Sequence, residues 1–214
     1  MAIEVCETFF SLLGESTYAG LPAFFIRLSG CNLRCNYCDT AYAYERGRAM
    51  AVQDLVRAAQ VRHLPYVLVT GGEPLLQAET PLLLKALADA GYKVLLETNG
   101  SLPINGVDSR VSRILDIKCP GSGMADRMYW KNLDFLTDQD EVKFVISGQQ
   151  DFAWAVEIVR RHRLTQRRLP VLISPVFGAV PPQDTAHWIL TSGLPFRLNL
   201  QLHKYIWGPE ARGV

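Results

Sequence analysis

Short apolar segments alternate along the chain with longer amphipathic ones. The short runs are rich in Val, Ile, Leu and Phe, as expected for strands buried on both faces of a sheet. The predicted strands are Ala23–Leu28, Tyr66–Thr70, Lys93–Thr98, Arg113–Ile117, Glu141–Ile146, Val171–Ser174 and Phe196–Leu200. Apolar residues spaced three and four apart predict helices at Val52–Arg62, Thr80–Ala90, Asp151–Arg163 and Pro182–Ser192. This alternation is typical of βαβ units around a parallel sheet, and therefore of the α/β class.

The pattern continues without interruption, which predicts a single domain over residues 1–214. We find no internal repeat, low-complexity tract or linker. A length of 214 residues is ample for one hydrophobic core.

Polar and glycine-rich segments follow five of the predicted strands. They are Ser29-Gly30-Cys31, Thr70-Gly71-Gly72-Glu73-Pro74, Glu97-Thr98-Asn99-Gly100, Asp116-Ile117-Lys118-Cys119-Pro120-Gly121 and Ser174-Pro175. Each alone also suits an ordinary turn. Because ligands of parallel α/β folds bind at the carboxyl ends of the strands, their shared placement predicts one ligand-binding rim.

Composition and charge narrow the class of partner. Hydrophobic residues make up 49% of the chain, charged residues 20%, and the net charge is +1. This balance gives no electrostatic basis for binding nucleic acid or a membrane surface. The first residues do not resemble a signal peptide, and no apolar run reaches the roughly 18 residues of a membrane span. We therefore expect a cytoplasmic location.

Three of the five cysteines, Cys31, Cys35 and Cys38, lie within eight residues of one another. An odd cysteine count argues against a disulfide framework. The spacing suits either a zinc ion or an iron–sulfur cluster. Structural zinc usually takes four ligands, and no second cysteine pair is present. Three thiolates on a four-iron cluster leave one iron open for chemistry, so the spacing favours a 4Fe–4S cluster over a small zinc-binding adaptor.

A second motif identifies a superfamily. The CxxxCxxC spacing with Tyr37 before the third cysteine, followed after the next predicted strand by Gly71-Gly72-Glu73-Pro74, resembles the radical S-adenosylmethionine (SAM) superfamily. The resemblance implies that the open iron binds SAM and that its reductive cleavage yields a 5′-deoxyadenosyl radical. Glycines allow close backbone approach to such a ligand, and Glu73 could hold its ammonium group.

The segments that flank these two motifs point to one family within the superfamily. Residues 7–16, 20–28 and 30–33, with Asp39-Thr40 and Gln201-Leu202-His203-Lys204-Tyr205, resemble the 7-carboxy-7-deazaguanine synthase family over nearly the whole chain. The resemblance implies a carbon–nitrogen lyase of queuosine biosynthesis. It would convert 6-carboxy-5,6,7,8-tetrahydropterin to 7-carboxy-7-deazaguanine with loss of ammonia, using SAM, a 4Fe–4S cluster and Mg²⁺. It also implies a homodimer and a reduced, open, partial TIM-like (β/α) barrel, with a core at about residues 22–200 and a substrate-capping segment at 201–214.

The substrate chemistry suggests roles for individual residues. Arg27 is a natural bidentate partner for the substrate carboxylate, and Glu15 could accept hydrogen bonds from pterin N–H groups. Strand alternation places Gln201 and His203 on one face of the last predicted strand, towards the pocket. The predicted substrate-binding set is Leu12, Leu13, Gly14, Glu15, Arg27, Thr70, Gln201 and His203.

By resemblance, the remaining site residues bind metal and cofactor. Cys31, Cys35 and Cys38 would hold the cluster, and Thr40 would coordinate Mg²⁺, which needs few protein ligands. No side chain is assigned as a catalyst, since the cofactor carries the radical chemistry. The predicted SAM-binding set is Tyr37, Cys38, Asp39, Gly72, Glu73, Glu97, Asp116, Ile117, Lys118 and Ser174.

Two departures from the family pattern affect these assignments. Leu13 stands where the family usually has Gln, so only backbone contacts are expected around Leu12–Gly14. Residues 207–214 extend beyond the point where some members end, so Glu210 or the tail backbone could replace a terminal carboxylate.

Three features fall outside the predicted site. Cys6 and Cys119 lack cluster spacing and are interpreted as structural. The basic stretch Arg160-Arg161-His162-Arg163 with Arg167-Arg168 predicts a solvated helix end, or a docking surface for an acidic flavodoxin-type electron donor.

A glycyl-radical activase remains the alternative enzyme, although it would leave Arg27, Glu15 and His203 without a role.

Overall fold

One nine-stranded sheet organises the protein, as seen in a computed structural model that describes residues 2–214. The strands are β1 (Ala2–Leu12), β2 (Pro22–Leu28), β3 (Arg48–Ala51), β4 (Tyr66–Gly71), β5 (Lys93–Thr98), β6 (Ser112–Lys118), β7 (Glu141–Ile146), β8 (Val171–Pro175) and β9 (Phe196–Leu198). The helices are α1 (Val52–Gln60), α2 (Thr80–Asp89), α3 (Asn132–Phe135), α4 (Gln149–Arg161), α5 (Pro182–Ser192) and α6 (Leu202–Trp207).

The strand order is β3-β1-β2-β4-β5-β6-β7-β8-β9. From β2 to β9 neighbouring strands are parallel, whereas β1 pairs antiparallel with both β2 and β3. Edge strands β3 and β9 leave the sheet open. This confirms the predicted α/β class and is consistent with an open, partial barrel.

The two faces of the sheet bury different residues. Side chains on one face pack against α1, α2, α4 and α5 to form the main core, to which Val69, Leu96, Ile117 and Phe144 belong. On the other face a smaller cluster gathers around Leu13, Phe25, Leu68, Leu95 and Ile114. Because side chains alternate along a strand, the residues two positions after Phe25, Leu68, Leu95 and Ile114 face the same side, nearer the carboxyl ends of the strands.

The sequence pattern did not reveal the N-terminal strands. In β1 only Ile3 and Val5 are fully buried, and the rest of the strand is half-buried or exposed, which gives no clear apolar run. The short edge strand β3 begins with two exposed residues. Both were therefore missed.

The last predicted strand, Phe196–Leu200, was partly wrong. It ends at Leu198, and Gln201 precedes helix α6 instead of continuing the strand. Beyond Leu198 the Asn199 backbone N–H still binds the Ile173 carbonyl oxygen at 2.9 Å, and its side chain accepts from Ser16 N–H at 2.8 Å. The next element is helix α6, in which side chains do not alternate. The alternation argument for Gln201 and His203 therefore does not apply.

No helix within residues 2–214 is both long enough and apolar enough to cross a membrane.

Candidate active site

A cavity of about 400 Å³ opens at the carboxyl ends of the parallel strands, on the side of the smaller apolar cluster. It brings together all but three of the predicted site residues. Those lining it are Leu12, Leu13, Gly14, Glu15, Arg27, Cys31, Cys35, Tyr37, Cys38, Asp39, Thr40, Thr70, Gly72, Glu97, Asp116, Lys118, Gln201 and His203.

The wall of the cavity is built by strand alternation and register. Arg27 on β2 lies opposite Thr70 on β4, and Asp116 on β6 lies opposite Lys143 on β7. Arg27, Thr70 and Asp116 each follow, by two positions, a residue of the smaller apolar cluster. On β7 the corresponding position below Lys143 holds the buried Glu141, which accepts a hydrogen bond from Thr17 N–H at 3.1 Å.

The cysteine loop follows β2. Cys31, Cys35 and Cys38 are free, partly exposed thiols that share the cavity wall. The loop is tightened by a hydrogen bond from Cys38 N–H to the Cys35 carbonyl oxygen at 3.2 Å. Burial raises the pKa of the Cys31 and Cys35 thiols, so their thiolates need a cation beside them.

Glycines allow the loop after β4 to approach the cysteine loop. A Cβ added at Gly72 would lie 2.1 Å from the Gly30 carbonyl oxygen and 2.8 Å from Cys31 Cβ. One at Gly71, whose φ is +146°, would lie 2.1 Å from the Leu28 carbonyl oxygen. Close backbone approach at this point explains the paired glycines.

Three predicted contacts do not line the cavity. The Glu73 carboxylate is fully buried and accepts hydrogen bonds from Leu75 N–H at 2.9 Å, Thr98 hydroxyl at 2.8 Å and Asn99 N–H at 2.7 Å. It therefore fastens the loop after β4 to the end of β5 from behind the wall. Ile117 packs into the main core, and Ser174 lies beneath Glu15, at 3.5 Å from its carboxylate.

The Arg27 guanidinium is fixed by an ion pair with Glu7 on β1. Its Nε donates to Glu7 Oε1 at 2.7 Å, and the Tyr42 hydroxyl donates to the same oxygen at 3.0 Å. The guanidinium also lies 5.8 Å from the centre of the Phe9 ring. Glu7 binds Nε alone, and the two terminal nitrogens make no hydrogen bond among residues 2–214.

Charged groups crowd the middle of the cavity. The Lys143 ammonium pairs with Glu97, and lies 3.5 Å from Asp116 Oδ2 and 3.6 Å from Glu15 Oε1. Lys118 Nζ pairs with Asp116 Oδ2 at 2.9 Å. Burial opposes the Asp116 charge, yet Lys118 and Lys143 hold the pKa of that carboxyl below its usual range.

The pKa of Glu15 shifts in the opposite direction to that of Asp116. Burial raises its pKa to about 7, and the like charges of Glu97, Asp39 and Asp116 add to the rise, against an opposing effect from Lys143.

Helix α6 closes one side of the cavity. The Leu202 N–H donates to the Gly14 carbonyl oxygen at 2.9 Å, and a Cβ at Gly14 would lie 2.1 Å from His203 Nδ1. Burial lowers the pKa of His203, and the nearby Lys204 ammonium lowers it further. His203 thus reaches the cavity from a helix and packs against the start of the β1–β2 connection at Gly14.

Asp39 ties this helix to the cysteine loop. Its Oδ2 accepts from Lys204 Nζ at 2.5 Å and from Gln201 Nε2 at 3.3 Å. Although burial opposes the Asp39 charge, Lys204 lowers the pKa of that carboxyl to about 2. Asp39 Oδ1 also accepts from the Thr40 hydroxyl at 3.0 Å.

The two departures from the family pattern have structural outcomes. Leu13 is buried in the small apolar cluster, and its backbone N–H and carbonyl both pair across the β1–β2 connection, with the Leu21 carbonyl oxygen and the Gly20 N–H, each at 2.8 Å. The tail turns back, so that Pro209, Glu210 and Val214 also line the cavity.

Sequence reasoning missed Lys143 and Asn99, which line the same cavity. Asn99 Nδ2 donates to Asn32 Oδ1 at 3.1 Å and lies 3.8 Å from Cys31 Sγ. Lys143 did carry a signal, because a lysine in the centre of the run Glu141–Ile146 interrupts an otherwise apolar strand.

The remaining predicted features lie away from the cavity. Cys119 is fully buried in the main core and Cys6 is half-buried on β1. Arg160, Arg163 and Arg168 are exposed, but Arg167 donates to the Leu133 carbonyl oxygen at 2.6 Å. Arg167 therefore supports α3 and does not belong to a solvated basic surface.

In the part of the chain that the structure describes, no three His, Cys, Asp or Glu side chains converge closely enough to hold a single metal ion.

Comparison with known proteins finds related sequences over the full chain. The family model of the radical SAM superfamily matches residues 25–175. The 7-carboxy-7-deazaguanine synthase of Chlorobaculum tepidum is 43% identical, with 99% of this chain and 97% of the relative covered. The protein of the same name from Koribacter versatilis is 42% identical, covering 99% and 100%. That from Methanospirillum hungatei is 40% identical, covering 97% and 86%.

Solved structures share the fold. QueE from Escherichia coli superposes with a TM-score of 0.78 at 22% identity, covering 95% of each chain. Streptococcus suis SuiB, solved with S-adenosylmethionine bound, gives a TM-score of 0.59 at 14% identity, covering 83% of this chain and 50% of SuiB.

Proposed function

The chain belongs to the 7-carboxy-7-deazaguanine synthase family of the radical SAM superfamily, and from this premise we propose how its cavity carries out the reaction. The protein is a radical SAM enzyme of queuosine biosynthesis that uses a 4Fe–4S cluster and SAM. Its substrate is 6-carboxy-5,6,7,8-tetrahydropterin, which loses ammonia as its ring contracts. The observation that carries the proposal is that Arg27 and the three cysteines line one cavity.

The cysteine loop fits the cluster. Three free thiols on one wall, with backbone brought close by Gly72, provide the donor set and the space that a cluster and its ligand need. Cys31, Cys35 and Cys38 would hold the cluster, which with SAM supplies the reductive radical chemistry. Tyr37, Glu97, Asp116 and Lys118 line the cavity on the side where SAM would lie.

Three residues of the predicted SAM-binding set would support SAM binding only indirectly, namely Glu73, Ile117 and Ser174. Their side chains support the wall, and any direct contact would come from neighbouring backbone. Gly72 and Asp39 line the cavity beside the cysteine loop.

The substrate would bind between β2 and α6. The terminal nitrogens of Arg27 would pair with its carboxylate, since Glu7 already fixes the Nε edge. Glu15 would accept hydrogen bonds from pterin N–H groups. Gly14, Gln201 and His203 would contact the substrate from the side of α6. Residues 201–214 would cap the substrate, because α6 and the tail already border the cavity.

Mg²⁺ would bind at Thr40. The Thr40 hydroxyl and the Asp39 carboxylate lie together at the cavity edge, 3.0 Å apart. Mg²⁺ fills most of its octahedral sites with water and substrate oxygens, so a single protein hydroxyl suffices. A cation there would stabilise charge on the substrate carboxylate during rearrangement.

Partners and location follow from the same resemblance. We propose a cytoplasmic homodimer reduced by a flavodoxin-type donor. The exposed arginines Arg160, Arg163 and Arg168 give a candidate surface for an acidic donor.

Anaerobic reconstitution tests the function. The cluster-loaded protein, SAM, Mg²⁺ and a low-potential reductant are incubated with the carboxytetrahydropterin, and the product is identified by mass. We expect 7-carboxy-7-deazaguanine, and none from Cys35→Ala. SAM cleavage that leaves the pterin unchanged would overturn the assignment.

A further inference from the structure

Lys143 is a buried lysine that the proposed function does not use. It lies in the middle of β7, faces the cavity and has only 3% of its side chain exposed. Its ammonium contacts carboxylates from three separate parts of the chain: Glu97 on β5, Asp116 on β6 and Glu15 in the β1–β2 connection.

The three carboxylates need this ammonium. Buried charges are costly unless they are paired, and neighbouring like charges oppose each other's ionisation. Lys118 compensates Asp116 directly at 2.9 Å. Glu15 and Glu97 form no ion pair with any other lysine or arginine in residues 2–214, so Lys143 is the cation that pairs with both.

These carboxylates belong to the two halves of the cavity. Glu15 lies beside Gly14 on the substrate side, where Asn199 Nδ2 approaches it at 3.4 Å. Glu97 and Asp116 lie on the SAM side, and Thr70 donates to the second oxygen of Glu97 at 3.1 Å. A single ammonium therefore bridges the groups that face each ligand.

We propose that Lys143 is a positioning residue of the reaction. It holds Glu15 ionised towards the pterin and braces Glu97 and Asp116 towards SAM, so that the two ligands are bound at a fixed spacing. This inference rests on the proposed function for the identity of the two ligands. The charge network itself is independent of that identity.

The pH dependence follows from the groups that face Glu15. They are Lys143 from β7, Glu97 from β5, Asp116 from β6 and Asp39 from the cysteine loop, and the neutral Ser174 and Asn199 complete its surroundings. With a pKa of about 7, above its ordinary value, Glu15 takes up a proton as the pH falls through neutrality. Removing Lys143 removes the neighbouring ammonium that lowers this pKa. The ionised form of Glu15, which accepts hydrogen bonds from the pterin N–H groups, would then form only at a higher pH.

The test compares Lys143→Met and Lys143→Arg in the cluster-reconstituted protein. For Lys143→Met we expect the acid limb of the kcat/KM profile to move at least about one pH unit upward, because a close opposite charge shifts a carboxyl pKa by roughly that much or more. KM for the pterin at neutral pH should rise about tenfold and SAM binding should weaken, since each loses a braced carboxylate. Lys143→Arg keeps the positive charge, so the acid limb of its kcat/KM profile should lie close to that of the wild-type protein.

A second readout does not depend on turnover. The infrared carbonyl band of protonated Glu15, identified by its loss in Glu15→Gln, is titrated in the resting protein. We expect this titration to move upward in Lys143→Met. If wild-type protein forms no 7-carboxy-7-deazaguanine, the proposed function fails, while this titration still decides the role of Lys143.

Arg113→Met is the matched control, because it breaks another buried ion pair, with Asp140 at 2.6 Å, away from the cavity lining. It should lower the melting temperature without moving the pH profile. The proposal is overturned if Lys143→Met behaves like this control, or if it keeps the wild-type acid limb and both affinities. Should Lys143→Met not fold, Lys143→Gln carries the same comparison.

Discussion

The guanidinium of Arg27 shows how a half-buried arginine is positioned for a ligand. Glu7 and Tyr42 hold one edge, and Phe9 supports the plane. The guanidinium is thereby held in place at the cavity wall, so less side-chain entropy is lost when a carboxylate binds its terminal nitrogens.

Replacing Arg27 by Lys should therefore weaken substrate binding although the charge is kept. A lysine cannot form the bidentate pair or retain the Glu7 contact in the same geometry. We expect KM for the carboxytetrahydropterin to rise about 10- to 100-fold, a loss of roughly 1.4 to 2.7 kcal/mol. Steady-state kinetics with saturating SAM measure this.

Arg110→Lys is the control, because Arg110 pairs with Asp89 and Asp108 at the surface. It should leave KM unchanged. An unchanged KM in Arg27→Lys as well would remove Arg27 from the substrate site.

At the scale of the elements, the junction between the β1–β2 connection and α6 depends on the absence of one side chain. A Cβ at Gly14 would lie 2.1 Å from His203 Nδ1 and 2.9 Å from its Cγ. Since His203 is held by the short helix that follows the last strand, it cannot stay in place when that space is filled.

Gly14→Ala should consequently displace α6 and open the cavity. We expect weaker pterin binding, faster proteolysis within residues 201–214 and little change in SAM binding. Limited proteolysis and separate titrations of the two ligands distinguish these effects.

Gly106→Ala provides the comparison, since nothing lies within 4 Å of a Cβ at that position. Should Gly14→Ala keep both its protease resistance and its affinity for the pterin, α6 would not form the substrate cap.

The elements also show what a sequence pattern can and cannot predict. The parallel strands β4 to β8 were predicted because they are buried on both faces and form apolar runs. Strand β1 was missed because most of it is only half-buried, with polar residues such as Glu4 and Glu7 among the apolar ones. The start of helix α6 was predicted to continue the last strand because the contacts that fix this helix are tertiary, namely those of Lys204 with Asp39 and of Leu202 with Gly14.

At the scale of the molecule, local motifs predicted the composition of the site better than its electrostatics. The cysteine spacing and the glycine pair are local, and the structure places them at one cavity. The pairing of Lys143 with Glu15, Glu97 and Asp116 depends on the register of four segments far apart in the chain, which no spacing rule contains. The burial of Glu73 behind the wall is likewise a property of the assembled sheet.

The open sheet explains why one face can serve a small ligand. Helices cover the outer face, while the inner face has apolar side chains at its base and charged ones at its rim. A cavity of about 400 Å³ suits a pterin and a nucleoside-bearing cofactor better than a segment of a partner protein. This favours small-molecule chemistry over activation of a glycyl-radical protein.

The most direct test follows the hydrogen atom. The cluster-loaded protein is incubated anaerobically with SAM, Mg²⁺, a low-potential reductant and 6-carboxytetrahydropterin deuterated on the carbons of its reduced ring. We expect 7-carboxy-7-deazaguanine, release of ammonia and deuterium in the 5′ position of the adenosyl group. An adenosyl group without deuterium, together with unchanged pterin, would contradict it.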